Sequence, residues 1–359
     1  MTQDFYRQLS PTCGLRVSPI SLGAITFGGA HGMEYFGHVD PDGAAKLLST
    51  AQDAGVNMVD VANYYSTGVA EEVLGQALTK SADFADLLVT SKVRMVVGDG
   101  PNDGGQSRWH ILDQIDKTLG RLGRDHLDLY YLHEWDGQTP LEETLQTLDH
   151  LVRVGKIRYY GVSNYTSWQL MKVLMTCERH NLIKPVSQQI YYTPQARDAE
   201  YEMIPAGIDQ GIGTQVWSPM AMGLLTGKYR RNSRPKAGAR MVDGDGSDVQ
   251  IPDRENLYDM VDRLDEIAGE RGATIPQVVL AWLLARPGVT NLVVGARNTD
   301  QLSDSLGALK LELTDDEIDR IAQVSPPPVR YPFWHQADLA SDRLSAADRS
   351  IISTTAAQV

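Results

Sequence analysis

The sequence predicts an α/β fold, a (β/α)8 TIM barrel, from three observations. Apolar runs typical of buried strands alternate with amphipathic helical stretches through most of the 359 residues. Eight such units in series predict a closed parallel barrel with the helices outside, since parallel crossovers are right-handed. Polar residues follow several of the strands, and barrel active sites are built at that face. We therefore expect one domain over residues 1–359, with a barrel core at about 19–325 and a tail at 326–359.

The elements are predicted in chain order from apolar periodicity. The opening segment, Tyr6–Ser18, is expected to form an N-terminal hairpin across the bottom of the barrel. The eight strands are expected at Pro19–Ile25, Asn57–Ala62, Leu87–Val93, Leu127–His133, Ile157–Asn164, Val186–Ile190, Thr214–Pro219 and Asn291–Ala296. The helices are expected at Pro41–Ala54, Ala70–Thr79, Ser107–Leu122, Leu141–Val152, Ser167–His180, Tyr201–Gln210, Arg254–Arg271 and Thr299–Leu309.

Several helix starts carry residues typical of N-caps. Asp40 precedes Pro41, and this pair places a capping carboxylate before a proline in the first turn. Ser167 and Thr299 also stand where caps are expected. These signals support the helical assignment of the segments between strands.

Further pieces are expected outside the eight repeating units. Extra helices are predicted at Ile275–Ala285 and Thr314–Val324. Asn232–Asp253 is rich in Gly, Arg and Asp, and we expect a mobile loop at the catalytic face. Pro326–Val359 is predicted to form a tail that contains proline and aromatic residues.

Composition excludes some classes of function and location. A formal net charge of -13 argues against a nucleic-acid surface, although a local cationic pocket can still bind a phosphate. The two cysteines, Cys13 and Cys177, form neither a disulfide framework nor a metal-ligand spacing, so we expect no metal. No secretory signal or membrane-spanning run is visible, and we expect a cytoplasmic protein without a membrane partner.

Four polar residues at or just after predicted strands form one chemical set. They are Asp60 and Tyr65 in VDVANYY, Lys92 in LLVTSKV and His133 in DLYYLHEWD. Tyrosine stays protonated at neutral pH, a lysine ammonium beside it lowers its pKa, and an aspartate can orient that lysine. A histidine can hydrogen-bond a substrate oxygen. The set therefore predicts proton transfer to a carbonyl oxygen.

Each of the four residues also has an ordinary structural explanation. A lysine at a strand end is commonly a solvated charge, and a tyrosine there can be rim packing. An aspartate can cap a loop, and a histidine after a strand is often a satisfied structural residue. Their occurrence together after three successive barrel strands favours catalysis.

At these motifs the sequence resembles the aldo-keto reductase superfamily across nearly its whole length. Seven ordered segments carry the resemblance: VDVANYY, TSKV, LHEWD, VGKIRYYGVSN, SQQIYY, WSPMAMGLLTGKY and VVGARNTDQL. Among the branches, the chain is most similar to bacterial aldo/keto reductases akin to potassium-channel β subunits. No G-x-G-x-x-G follows a strand, which agrees with a cofactor bound on a barrel rather than on a Rossmann fold.

The resemblance implies a role for each matched residue. Tyr65 would be the general acid, Asp60 and Lys92 its partners, and His133 the group that orients the substrate. Arg297 can pair with a 2′-phosphate, which implies NADPH rather than NADH. The cofactor-binding residues would be Ala24, Ile25, Asp60, Ser163, Asn164, Gln188, Trp217, Ser218, Pro219, Met220, Gly223, Lys228, Gly295, Arg297, Gln301, Asp304 and Ser305.

The expected function is reversible NADPH-dependent reduction of an aldehyde or ketone by a monomer or homo-oligomer. The alternative is a cofactor-sensing binding subunit with little turnover, like the channel-associated relatives. Residues expected to face the substrate are Phe27, Tyr64 and Trp135, with further contacts from Glu134 and the tail residues Tyr331, Phe333 and Trp334. The sequence does not identify the carbonyl or alcohol substrate.

Overall fold

The structure is a computed structural model that describes residues 5–231 and 253–355, without the side chains of residues 351–355. The described strands are β1 Arg7–Ser10, β2 Cys13–Val17, β3 Ile20–Gly23, β4 Met58–Asp60, β5 Leu88–Val93, β6 Leu127–Leu132, β7 Ile157–Ser163, β8 Ser187–Tyr191, β9 Gly213–Trp217 and β10 Val289–Gly295. Eight of them are parallel and form a closed barrel, as predicted, in the order β10-β3-β4-β5-β6-β7-β8-β9. The predicted 232–253 loop lies outside the described residues except for Asp253.

The described α-helices surround the barrel. Those before residue 326 agree with the predicted ones to within about two residues at most ends, whereas the two in the tail were not predicted. The helices are α1 Pro41–Asp53, α2 Val69–Leu78, α3 Arg108–Leu122, α4 Leu141–Arg153, α5 Ser167–His180, α6 Met203–Gln210, α7 Arg254–Arg271, α8 Ile275–Leu284, α9 Thr299–Leu306, α10 Asp315–Ala322, α11 Phe333–Leu339 and α12 Ala346–Thr355. None of these described helices is long and apolar enough to cross a bilayer.

The predicted N-caps are correct at one position and shifted at two. The side chain of Asp40 accepts from the Gly43 N–H, as expected before α1. The cap of α5 is Thr166, one residue before Ser167. The cap of α9 is Asn298, whose side chain accepts from the Gln301 N–H, and Thr299 is the first helical residue. Two capping-type residues in succession make the sequence ambiguous by one position.

The N-terminal hairpin of β1 and β2 closes the barrel at the end where the strands begin. Leu9, Cys13 and Val17 are buried in one apolar cluster with Met58. The hairpin lies so close to β9 that a Cβ at Gly213 would be 1.8 Å from the Leu9 carbonyl oxygen. The predicted position of the hairpin is therefore confirmed, and solvent access to the barrel interior is left to the opposite end.

The C-terminal tail packs on the outer helices rather than over the barrel mouth. α12 packs against α6, and the Tyr201 hydroxyl donates to the Pro328 carbonyl. Phe333 stacks on Tyr201. Tyr331 and Trp334 are 74% and 51% exposed. Contrary to the prediction, none of these three aromatic residues lines the cavity at the C-terminal ends of the strands, because Phe333 packs on Tyr201 and the other two rings are largely exposed to solvent.

Candidate active site

A cavity of about 1000 Å³ opens at the C-terminal ends of the barrel strands. Asp60 ends β4, Tyr65 lies in the turn that follows, and His133 comes directly after β6. All three line the cavity. Lys92 lies beneath them near the end of β5 and is fully buried. The four predicted residues therefore meet at one point because parallel strands end at the same face of the barrel.

The Lys92 ammonium holds the site together with three hydrogen bonds. Nζ donates to the Asp60 carboxylate, to the Val61 carbonyl at 3.0 Å and to the Tyr65 hydroxyl at 3.1 Å. An ammonium has three N–H donors, so each donor has a partner. These contacts fix the tyrosine hydroxyl against a cation inside a site without solvent access to that cation.

The second carboxylate oxygen of Asp60 is held as firmly as the first. It accepts from Thr90 Oγ1 at 2.7 Å and from Gln189 Nε2 at 3.0 Å. Asp60 is only 2% exposed. The Lys92 cation and two neutral donors therefore surround this buried carboxylate and satisfy both of its oxygens.

Burial and charge oppose each other at Tyr65 and Lys92. Burial raises the pKa of the Tyr65 hydroxyl, and the nearby Lys92 charge offsets only part of this effect. Burial also lowers the pKa of the Lys92 amine, but Asp60 and Tyr65 together outweigh it, so this pKa is raised. The resting site therefore holds a neutral tyrosine beside a charged lysine, and the expected lowering of the tyrosine pKa is not the net result.

His133 is held neutral. Burial is the main cause that places the pKa of its imidazole well below the usual range, and the charges of Lys92 and Arg94 add to it. Its Nδ1 is buried and has no hydrogen-bond partner among the described residues. A neutral imidazole offers one N–H donor and one acceptor, which suits a hydrogen bond to a substrate oxygen next to Tyr65.

Most of the other predicted cofactor residues lie along the same cavity. Those that line it with Asp60 are Ala24, Ile25, Ser163, Asn164, Trp217, Ser218, Pro219, Met220, Gly223, Lys228, Gly295, Arg297, Gln301, Asp304 and Ser305. They come from the ends of β3, β7, β9 and β10 and from the segments that follow these strands. The cavity therefore extends from Asp60, Tyr65 and His133 to the start of α9.

Gln188 is the exception, because its neighbour Gln189 lines the cavity instead. The Gln188 side chain donates to the Met203 carbonyl at 2.8 Å and to Thr214 Oγ1 at 3.0 Å, outside the cavity. Gln189 lines the cavity and contacts Asp60. Successive side chains on a strand point to opposite faces. Two adjacent glutamines in SQQIYY left the inward one undetermined from the sequence, and the one at the cavity is Gln189 rather than the predicted Gln188.

Comparison with known proteins identifies the family of this chain. A sequence model described as "Aldo/keto reductase family" matches residues 19–326. The chain belongs to this family. It is 32% identical over 324 residues, 89% of its length and 96% of the relative's, to "Probable voltage-gated potassium channel subunit beta" of Arabidopsis thaliana. It is 31% identical over 327 residues, 88% of its length and 94% of the relative's, to "Uncharacterized oxidoreductase YrpG" of Bacillus subtilis.

The residues of this family member fit a nicotinamide cofactor. Ser163 Oγ lies at the end of β7, borders the cavity and has no hydrogen-bond partner among the described residues, so it can bond a carboxamide. Trp217 presents an indole ring at the cavity, backed by Tyr191 at a ring-centre distance of 4.9 Å. A Cβ at Gly223 would meet nothing within 4 Å, which leaves its backbone open to a ligand. Lys228 and Arg297 supply the positive charge that phosphates need.

The residues predicted to face the substrate divide into two groups. Tyr64 and Glu134 line the cavity. Phe27 does not line the cavity, because its ring is fully buried in the apolar core where its backbone pairs with Val39. Trp135 packs between Tyr165 and Trp168 instead of lining the cavity. The predictions of Phe27 and Trp135 are therefore corrected.

Sequence reasoning missed one side of the cavity. Met33, Tyr35 and Phe36 line it from the loop between β3 and α1, and Met95 lines it after β5. No periodic pattern marks these positions, because a loop residue reaches a site through tertiary contacts. Among the described residues, no group of His, Cys, Asp or Glu side chains could hold a metal ion.

Proposed function

We propose that this chain catalyses the reversible NADPH-dependent reduction of an aldehyde or ketone to an alcohol. The observation that supports it most directly is the Lys92 ammonium, which contacts both the Asp60 carboxylate and the Tyr65 hydroxyl at the wall of the cavity. When bound, the cofactor supplies a hydride to the carbonyl carbon. This chain then has to bind the two reactants, orient the carbonyl and deliver a proton to its oxygen.

The described side chains can perform these tasks. The neutral imidazole of His133 donates a hydrogen bond to the carbonyl oxygen and directs it toward Tyr65. Tyr65 transfers its proton to that oxygen as negative charge develops there, and its phenolate is stabilised by Lys92 at 3.1 Å. Asp60 keeps the lysine charged and in place, and the tyrosine regains a proton from solvent after the alcohol leaves.

The preference for NADPH depends on Arg297. A planar guanidinium can bind a phosphate through two parallel hydrogen bonds, and NADH lacks the 2′-phosphate that would use them. Arg297 lines the cavity together with Gln301 at the start of α9. We therefore infer that the adenosine end of the cofactor lies there.

The test is the absorbance of reduced nicotinamide with NADPH and then NADH, against a panel of aldehydes, ketones and sugars. Tyr65→Phe should reduce turnover by about 10²–10⁴-fold, because it removes the proton donor and little else. Tyr159→Phe is the matched control on β7, since its ring packs near Cys13 in the cluster at the closed end of the barrel. Equal turnover in wild type and Tyr65→Phe would overturn the proposed role.

A second candidate function is that of a cofactor-sensing subunit. It is favoured by the relatives from Arabidopsis thaliana and from Oryza sativa subsp. japonica, both of which carry the description "Probable voltage-gated potassium channel subunit beta". Tight binding of NADPH without turnover on any carbonyl or alcohol would support this candidate over the reductase.

A further inference from the structure

We propose that Arg297 is a positioning residue that fastens the 28–39 loop as one wall of the catalytic cavity. Through this loop it would set discrimination between carbonyl substrates, even with a cofactor that has no 2′-phosphate. The kinetic part rests on the proposed reductase function. The structural part does not.

One end of the connection is the Arg297 guanidinium. Its Nε donates to the Phe36 carbonyl at 2.9 Å, and its Nη2 donates to the Tyr35 carbonyl. The arginine stem also lies against the loop, since a Cβ at Gly37 would be 3.5 Å from Arg297 Cγ. The same edge of the guanidinium that could grip a phosphate is therefore bonded to the loop backbone in this structure.

The other end of the connection adjoins the catalytic tyrosine. The Ala30 N–H donates to Ser66 Oγ at 3.1 Å, and the Ser66 N–H donates to Met33 Sδ at 3.0 Å. Ser66 follows Tyr65 directly and has φ 50°, in the left-handed region. That conformation is costly for a non-glycine residue, so outside contacts are needed to maintain it. The 28–39 loop supplies two of them.

Contacts within the 28–39 loop connect the segment bonded to Arg297 with the segment bonded to Ser66. The loop is closed at its base by the Gly28 N–H bonded to the Val39 carbonyl at 2.9 Å. Its two strands of backbone lie in contact, since a Cβ at Gly29 would be 2.0 Å from the Gly37 carbonyl oxygen. Gly29 also has φ 64°, in the left-handed region that favours glycine. A displacement at the Tyr35 and Phe36 carbonyls would therefore carry Met33, a cavity wall residue, with it.

Hydrogen exchange in the cofactor-free protein tests the structural part. Arg297→Ala should increase amide exchange at Met33 and Phe36 about tenfold, the size expected for losing hydrogen bonds to a charged donor. These two amides bond within the loop, to the Ala30 and Met33 carbonyls. Arg297→Lys, which retains a donor, should restore part of the protection. Arg153→Ala, a surface arginine paired with Asp149 on α4, is the matched control and should leave this exchange at the wild-type rate.

Kinetics with NADH test the functional part, because this cofactor lacks the 2′-phosphate that Arg297 would otherwise bind. Arg297→Ala should change the kcat/KM ratio between an aromatic and a small aliphatic aldehyde by about tenfold. Unchanged exchange and an unchanged ratio would overturn the inference and leave Arg297 with phosphate binding alone. Faster exchange in a protein without turnover on any aldehyde would uphold the loop connection and reject the reductase function instead.

Discussion

Replacing Asp60 by Asn should show how much this fold depends on its central ion pair. The Asp60 and Lys92 side chains are 3% and 0% exposed. In Asp60→Asn the lysine keeps its burial but loses its counter-charge. Removing one partner of a buried pair costs about 3–5 kcal/mol of unfolding free energy. With about 2.1 cal/mol/K of unfolding entropy per residue over 359 residues, the melting temperature should fall by roughly 4–7 °C.

The pH dependence separates this explanation from a general packing defect. In wild type the pKa of Lys92 is raised in the folded state. Its contribution to the free energy of unfolding is therefore fully present below the unfolded-state pKa of about 10.4, and it is lost only as pH rises through the folded-state pKa. In Asp60→Asn we expect burial to lower this pKa, so the unfolded state binds more protons. The stability of the variant should then rise with pH by up to about 1.4 kcal/mol per unit, up to the unfolded value.

Chemical denaturation between pH 6 and 10 measures both effects. Asp113→Asn is the matched control, because its 2.8 Å pair with Lys117 lies on the surface of α3. This control should cost less than about 1 kcal/mol. The reasoning would be refuted if Asp60→Asn lost no more unfolding free energy than the control. It would also be refuted if the unfolding free energy of this variant changed with pH as that of wild type does.

Three other predictions concern the cavity and the tail. In steady-state kinetics, Gln189→Ala should raise the KM for NADPH about tenfold, and Gln188→Ala should leave this KM unchanged. In denaturation experiments, Gln188→Ala should instead cost about 1–3 kcal/mol of unfolding free energy. Ser163→Ala should raise the dissociation constant for NADPH about fivefold to tenfold in a fluorescence titration, and an unaltered constant would contradict its proposed carboxamide contact. Trp334→Ala should leave kcat/KM the same across a substrate panel, because its ring lies on the tail and is 51% exposed; a changed substrate preference would show that the tail reaches the site.

The barrel could be predicted because its evidence is local. Each strand is an apolar run, and each helix shows its own periodicity, so the bounds agree closely in most cases. The positions of Asp60, Lys92 and His133 follow from where three strands end. Their convergence required only the geometry of a parallel barrel.

The remaining features depend on contacts between distant parts of the chain. A single glutamine in SQQIYY would have been placed correctly, but two in succession require the strand register, which sets Gln189 inward. The buried position of Phe27 depends on its pairing with Val39 across the 28–39 loop. Whether the pKa of Tyr65 is raised or lowered depends on how deeply its hydroxyl is buried, and no sequence motif specifies that burial.

The cavity lies across the seam where the first and last strands of the barrel meet. Gly23 on β3 pairs with Gly295 on β10, and both line the cavity. During synthesis, therefore, the binding surface cannot be completed until nearly all of the barrel sequence has emerged. A ligand that contacts both strands would stabilise the closed barrel. At a free concentration 100 times its dissociation constant, it would add about 2.7 kcal/mol to the free energy of unfolding. Ligand supply could thus influence how long a newly made chain survives as well as how fast it works.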